Sequence, residues 1–479
     1  MPYPYNGRDI LLIPEIAGMD ARRSFVRIPP ELDVPMTKRV RRIVDSTPFQ
    51  RLAKVAQLAF VQLVYPGARH TRFEHSLGVY RLTLLLLKRL AHDELFSSLV
   101  DARDAQTLIL AALLHDLGHF PYCHLIEDLR IPNLRSHEQI ANDYVTGELA
   151  QAIKEDWGVE PQDVSNLISK TLPTQAPGQS QEEFQRRLKV SKLLASILSG
   201  PIDVDKMDYL MRDSLAAGVP YGRNYDLDRL VGSVCINSAQ DGIAISSKGK
   251  TAAELMVFAR YVMFSEVYWH HASRAATVMF QRALILLTRT YTAQSLFEKL
   301  QNSYDYQAQT YLLELASRQD NDDASVNAKR REAYKLLYGL FGPKRRLVKR
   351  IRQFSAMEAP RLYRKLAGRS YDDLDAIAHN LADILKIDRA DLILDAPPLD
   401  KEVQFDIDVY YPEEDVYRPL DQVSPVVRAL AKEQFDDYVK RMRVFADPES
   451  ATKLKKLKDF DDALNQAVEL YDQRRSNAG

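Results

Sequence analysis

The run AQTLILAALLHDLGHFPYCH sets His115 and Asp116 side by side at the end of an apolar, Leu- and Ala-rich stretch whose pattern predicts a helix over residues 105–117. Two adjacent polar side chains closing a buried run need something to bind them. An imidazole and a carboxylate together suit a divalent metal ion such as Mn, Fe, Co, Ni or Zn, with Mg as the oxygen-preferring alternative. One helix end cannot fill a coordination shell, so further ligands must come from elsewhere in the chain. TRFEHSLG offers His75 one turn into a helix, and PIDVDKMDYLMRD offers Asp205 at the start of another. His75, His115, Asp116 and Asp205 are therefore the expected metal-binding set. Seven of the ten histidines fall between His70 and His137, and His119, His124 and His137 closely follow the doublet. A second doublet, His92-Asp93, sits in the polar end LAHDEL and reads as solvated surface.

An ion held by two His and two Asp leaves positions for water and substrate. Such an ion lowers the pKa of bound water from 15.7 towards about 7 and polarises a phosphoryl oxygen, which makes phosphate-ester hydrolysis the natural chemistry. Arg72, Lys206 and Arg212 lie within the motifs as cations for phosphate oxygens. His119, His124 and His137 are suitable proton donors to a departing oxygen, because imidazole titrates near neutrality. Cys123 lies among these histidines and could be a ligand, but reads instead as a small buried filler.

The ordered motifs PGARHTRFEHSLG, LLHDLGHFPYCH, SHEQ and IDVDKMDYLMRD resemble the HD-domain phosphohydrolase superfamily, specifically its deoxynucleoside triphosphate triphosphohydrolase branch, from about Asp45 to Arg282. The resemblance implies a mainly α fold with an HD-domain helical core. It also implies hydrolysis of a dNTP at the α-phosphorus to a deoxynucleoside and triphosphate. Carried onto this chain, it assigns metal ligation to His75, His115, Asp116 and Asp205 and catalysis to His119, His124 and His137. Arg72, Lys206 and Tyr209 would touch phosphates, Asp213 would hold the sugar 3′-hydroxyl, Gln57 and Leu58 would pack near sugar and base, and His271 would reach a phosphate. Glu127 would orient one of the histidines. Near Ala275 no tyrosine stands for the family residue that excludes a 2′-hydroxyl, and Ala53 replaces a basic residue used in nucleotide activation. Family members assemble, so a homo-oligomer is expected. The alternatives are an HD phosphodiesterase or nucleotidase on another nucleotide, or a regulator that binds nucleotide or nucleic acid. No Gly-Tyr-Pro signature of cyclic-dinucleotide phosphodiesterases follows the doublet.

The elements that must position these groups carry recognisable end signals. Thr71 and Glu74 form a capping-box pair before His75, and Ser136 and Gln139 form another around His137. Gly78 leaves room either for a ligand or for a tight helix crossing, and Gly118 suits a left-handed helix terminus before Pro121. Asp205, Tyr209, Arg212 and Asp213 share one helix face. VGSVCIN and GIAISS around Asp241-Gly242 predict a β-hairpin, and a long helical region is expected from about Ala252 to Leu300.

Four segments are expected: an irregular 1–35 with short strands around ILLIP and FVRI, an HD core over 36–300, a helical extension over 301–390 and a C-terminal α+β accessory unit over 391–479. Within the extension Lys344, Arg345, Arg346, Lys349, Arg350 and Arg352 form a basic run, which by default is a solvated face and otherwise a site for a regulatory nucleotide or nucleic acid. LPTQAPGQSQ at 172–181 reads as an exposed insertion. Lys plus Arg equals Asp plus Glu, 65 against 65, so any nucleotide site must be local rather than a global charge effect. Two cysteines, Cys123 and Cys235, make no disulfide framework. With no signal-peptide core in MPYPYNGRDI and no long apolar run, the chain reads as soluble, cytoplasmic and free of membrane partners.

Overall fold

The computed structural model describes residues 9–20, 24–320, 323–397, 406–430 and 435–476. At its centre is the Ala102–Leu114 helix, which from Leu108 onwards is apolar on every side, so that Ala105 and Leu108 through Leu114 are fully buried. A helix without a polar face has to be surrounded. Its start is fixed by Asp101, whose carboxylate accepts from the N–H groups of Arg103 and Asp104, both at 2.9 Å. His115 follows directly as its C-cap.

The Arg72–Leu90 helix packs against this centre and against the Val204–Ala217 helix. Its expected capping pair is present, with Thr71 N–H donating to the Glu74 carboxylate at 3.1 Å. The helix crossing is the reason for Gly78: a Cβ there would overlap the carboxylate of Asp208 and the guanidinium of Arg212. Gly118 has a related role rather than the expected left-handed one, since it is absent from the positive-φ positions while Tyr122 is at φ 61°. A Cβ on Gly118 would collide with the His137 carbonyl and the Ala141 N–H, so the glycine admits the His137–Thr146 helix against the His115-Asp116 turn.

The Val234–Ile236 and Ile243–Ser246 strands form the expected antiparallel hairpin. Asp408–Tyr411 adds in parallel beside Ile243–Ser246, and Val416–Pro419 completes the four-stranded sheet. A separate three-stranded antiparallel sheet places Met442–Ala446 between Lys349–Phe354 and Leu392–Asp395, covered by the Tyr371–Leu385 and Phe460–Ser476 helices. Near the N-terminus FVRI is a strand, Phe25–Ile28, paired with Leu32–Pro35, but ILLIP forms short helical turns. The fold is mainly α with small β units. No described helix is long and apolar enough to cross a membrane.

The basic run is not a helix face. Lys349–Phe354 is a strand, and much of the charge is used inside the molecule. Arg345 donates to the Leu63 carbonyl, Arg346 pairs with Asp447 and Glu449, and Arg352 pairs with Asp461. The long helical region also breaks, into Lys250–Met263, a π-helical turn Phe264–Tyr268, His271–Thr288 and Ala293–Gln301.

An alanine at an unstrained glycine ordinarily stabilises a chain slightly. At Gly118 the obstructing atoms are backbone, so Gly118→Ala is expected to destabilise by roughly 1–3 kcal/mol. A lowered urea midpoint at unchanged slope checks this, and an unaltered midpoint contradicts it.

Candidate metal centre and active site

Three helices bring the four expected residues together: donor atoms of His75, His115 and Asp205 all lie within 4.8 Å of one another, and Asp116 stands beside them. His75 comes from the first turn of Arg72–Leu90, His115 and Asp116 from the end of Ala102–Leu114, and Asp205 from the first turn of Val204–Ala217. His75 Nε2 lies 3.0 Å from Asp205 Oδ1 and 3.9 Å from Asp116 Oδ2, while His115 Nε2 lies 3.4 Å from Asp116 Oδ1 and 3.8 Å from Asp205 Oδ1. The two Nε2 atoms face each other at 3.3 Å.

The outer hydrogen bonds decide what those nitrogens can do. His75 Nδ1 lies 2.9 Å from the Asp208 carboxylate, and His115 Nδ1 lies 2.9 Å from the Ala112 carbonyl. Both partners only accept, so each Nδ1 carries the hydrogen and each Nε2 turns a lone pair inwards. Two lone pairs and two carboxylates facing one another require a cation between them. Without a metal the site takes a proton: burial disfavours the charge on His75, but Asp205 and Asp208 outweigh it and raise its pKa to about 10. Burial likewise opposes ionisation of Asp116, yet the neighbouring His119, Arg72, His115 and His75 hold its carboxyl well below the usual range. The donor set fits a divalent ion. Asp205, with a third of its side chain exposed, marks the open side.

Asp208 is a functional residue that sequence reasoning missed. It accepts from His75 and takes two hydrogen bonds from Arg212, each 2.8 Å, while Arg212 also donates to the Pro29 carbonyl. Arg212 is therefore committed to holding the carboxylate that orients His75 and does not face a phosphate. The available signal was spacing, since Asp208 follows Asp205 by three residues and precedes Arg212 by four.

The other three histidines gather beside the first group. Ring centroids of His119 and His137 are 4.0 Å apart, and those of His119 and His124 are 4.8 Å apart. Glu127 organises them, accepting from His137 Nδ1 at 2.9 Å and lying 3.5 Å from His124 Nδ1. Burial opposes charge on Glu127, but the two histidines hold its carboxyl far below its ordinary value. The same pairing outweighs burial at His137 and raises its pKa, whereas burial and Arg72 push His119 well down.

Arg72 joins the two groups to a cavity. Its Nη1 donates to Asp116 Oδ2 at 2.8 Å, and its side chain lines a space of about 210 Å³ together with Gln57, Leu58, Phe60, His124 and Tyr268. Gln57 Oε1, Arg72 Nε and Ser273 Oγ lie buried on this wall without a protein partner among the described residues. Buried polar atoms without partners on residues that line a cavity mark where a polar ligand would be accommodated.

The remaining expected residues differ in placement. Asp213 is buried beside the cavity, with His70 Nε2 at 2.8 Å on one oxygen and the Tyr268 hydroxyl donating to the other at 2.7 Å. Tyr268, presented by the π-helical turn, was not anticipated. Its side chain lines the cavity while its hydroxyl is bonded to Asp213. The Tyr209 ring lies 6.4 Å from that of Tyr268. Lys206 Nζ is engaged by Asp203 at 2.6 Å and by the Gly200 carbonyl, so its charge is committed away from His75 and His115. His271 is outside the cavity lining and packs against His270 at 4.4 Å. A larger cavity, about 270 Å³, opens among the Ala102–Leu114, Pro161–Ile168 and Gln181–Ser199 helices. Its charged wall mixes Arg103, Arg186 and Arg187 with Asp101, Asp104 and Asp163, and has no histidine or cysteine.

Residues 72–211, which hold His75, His115, Asp116 and Asp205, match the HD domain, and residues 225–466 match the HD associated region. The chain belongs to the HD-domain phosphohydrolase superfamily. This HD protein is 33% identical over 246 residues to the uncharacterized protein YwfO of Bacillus subtilis, covering 50% of each chain. To the human deoxynucleoside triphosphate triphosphohydrolase SAMHD1 it is 29% identical over 261 residues, 51% of this chain and 41% of that one. It thus spans about half the length of the curated relatives it matches. The fold is similar to that of a hypothetical protein from Aquifex aeolicus, with a TM-score of 0.65 and 25% identity over 90% of this chain and 98% of the other.

Residues that orient metal-binding histidines commonly change metal affinity when altered. Asp208→Asn is expected to weaken Mn²⁺ binding by roughly 10–100-fold. Calorimetric titration of the metal-stripped protein reads this, and wild-type affinity in the variant would remove Asp208 from the centre.

Proposed function

We propose that this HD protein is a metal-dependent phosphohydrolase acting on deoxynucleoside triphosphates, with a deoxynucleoside and intact triphosphate as products. The observation that carries the reading is Arg72, which bonds Asp116 of the candidate metal centre, lines the cavity of about 210 Å³ and keeps a buried Nε without a protein partner among the described residues. The similarity to SAMHD1 supplies the substrate class.

In this reading His75, His115, Asp116 and Asp205 hold the ion. When bound, such an ion supplies Lewis acidity and a nucleophilic water at neutral pH. Arg72 offers its guanidinium to phosphate oxygens. His137, charged through Glu127, and the His119–His124 pair, whose Nε2 atoms are 3.1 Å apart, hold a proton for the leaving oxygen. Gln57 and Leu58 meet the base and sugar, and Ser273 adds a hydroxyl. Asp213 accepts the sugar 3′-hydroxyl through lone pairs not taken by His70 and Tyr268, with Tyr209 alongside. Lys206 would reach phosphate only by leaving Asp203, and His271 only from outside the cavity, so neither is central.

Incubation with mixed dNTPs and NTPs in Mn²⁺, followed by anion-exchange separation, tests the proposal. Triphosphate is expected as the product from dNTPs, and His115→Ala is expected to abolish it. Pyrophosphate with nucleoside monophosphate would overturn the triphosphohydrolase reading, and undiminished turnover by His115→Ala would overturn the metal centre.

A further inference from the structure

We propose that His119, Cys123 and His137 form a second metal site, selective for a thiophilic ion such as Zn²⁺ and separate from the His75, His115, Asp116 and Asp205 group. Their donor atoms all lie within 4.8 Å of one another. His119 and Cys123 are 3% and 2% exposed, so the sulfur is held in place rather than presented to solvent. Cys123 opens the short Cys123–Glu127 helix immediately after Tyr122, whose left-handed backbone turns the chain back towards His119.

The neighbouring hydrogen bonds prepare the nitrogens for ligation. Glu127 accepts a hydrogen bond from His137 Nδ1, so Nε2 is the nitrogen that meets a metal once its own proton has left. His119 Nδ1 lies 3.3 Å from the Asp116 carbonyl, an acceptor, and so its Nε2 carries a lone pair. That lone pair meets His124 Nε2 at 3.1 Å. As at the first centre, two such nitrogens at this distance hold either a shared proton or a metal ion between or beside them. An orienting partner behind a ligating imidazole is the usual construction of a metal site.

The donor chemistry separates the two centres. Two carboxylates and two imidazoles accept Mn²⁺ readily, whereas one thiolate and two imidazoles favour Zn²⁺ or Co²⁺. Binding would replace the Cys123 S–H bond with an S–metal bond and the Nε2–H bond of the charged His137 with an N–metal bond, and would release both protons to solvent. Cys123 lies on the cavity wall, which gives the ion a route in. An ion there would take His119 and His137 out of proton transfer. Zn²⁺ would therefore inhibit turnover supported by Mn²⁺, a consequence that rests on the phosphohydrolase reading.

The full-length, metal-stripped protein is loaded with two equivalents of Co²⁺ or Zn²⁺. Wild type is expected to show thiolate-to-cobalt charge-transfer absorption in the near ultraviolet, retained in Cys235→Ser and lost in Cys123→Ser. X-ray absorption of the zinc-loaded wild type is expected to include a sulfur scatterer at about 2.3 Å, a measurement that depends on no variant. Cys123→Ser should raise the Zn²⁺ concentration for half-inhibition at least tenfold. A zinc shell of nitrogen and oxygen alone, or a cobalt band that survives Cys123→Ser, would overturn the second site. The sulfur measurement decides this whether or not nucleotide is hydrolysed, so its failure is distinct from failure of the proposed activity.

Discussion

The Asp208 carboxylate lies where the Arg72–Leu90 and Val204–Ala217 helices cross, gripped on both oxygens by Arg212 and approached by His75 Nδ1. A buried carboxylate is costly unless its oxygens are satisfied, and removing one partner of such a pair costs roughly 3–5 kcal/mol. Here every contact also serves geometry. Gly78 lets the pair fit, the pair fixes the crossing, and the crossing sets the distance from His75 to Asp205. The positions of His75 and Asp205 are thus consequences of how two helices pack.

Beside that crossing the electrostatics divide into two neighbouring zones. Around His75 and His115, carboxylates dominate and stabilise positive charge. Around His119, burial and the Arg72 guanidinium make the imidazole neutral, while Glu127 keeps His137 charged. Imidazoles a few ångströms apart therefore favour different protonation states because of what stands behind each ring. Arg72 touches one zone through Asp116 and opposes charge in the other, so it couples the two groups electrostatically.

Much of this was legible in the sequence because the informative signals were local. The capping pairs at Thr71 and Glu74 and at Ser136 and Gln139, the apolar run ending in His115, and the Asp-Gly hairpin each depend on residues a few positions apart. The misses depended on distant partners. Asp208 and Arg212 resemble a solvated ion pair until Gly78 of another helix arrives. Lys349–Phe354 carries the charge pattern of a helical face, and only pairing with Met442–Ala446, about 90 residues later, makes it a strand. Tyr268 falls in a stretch of continuous helical periodicity, where one π-helical turn alters the direction of every following side chain.

The path of the backbone through the two larger sheets carries a further consequence. It leaves the hairpin at Ser246, supplies Lys349–Phe354 and Leu392–Asp395 to the other sheet, returns as Asp408–Tyr411 and Val416–Pro419, and crosses again as Met442–Ala446. Met442–Ala446 is the shared partner of both flanking strands, so its loss would leave two raw edges open to association with other chains. A polypeptide laced back and forth in this way has no simple seam at which one layer could be inherited, excised or melted without disturbing the other.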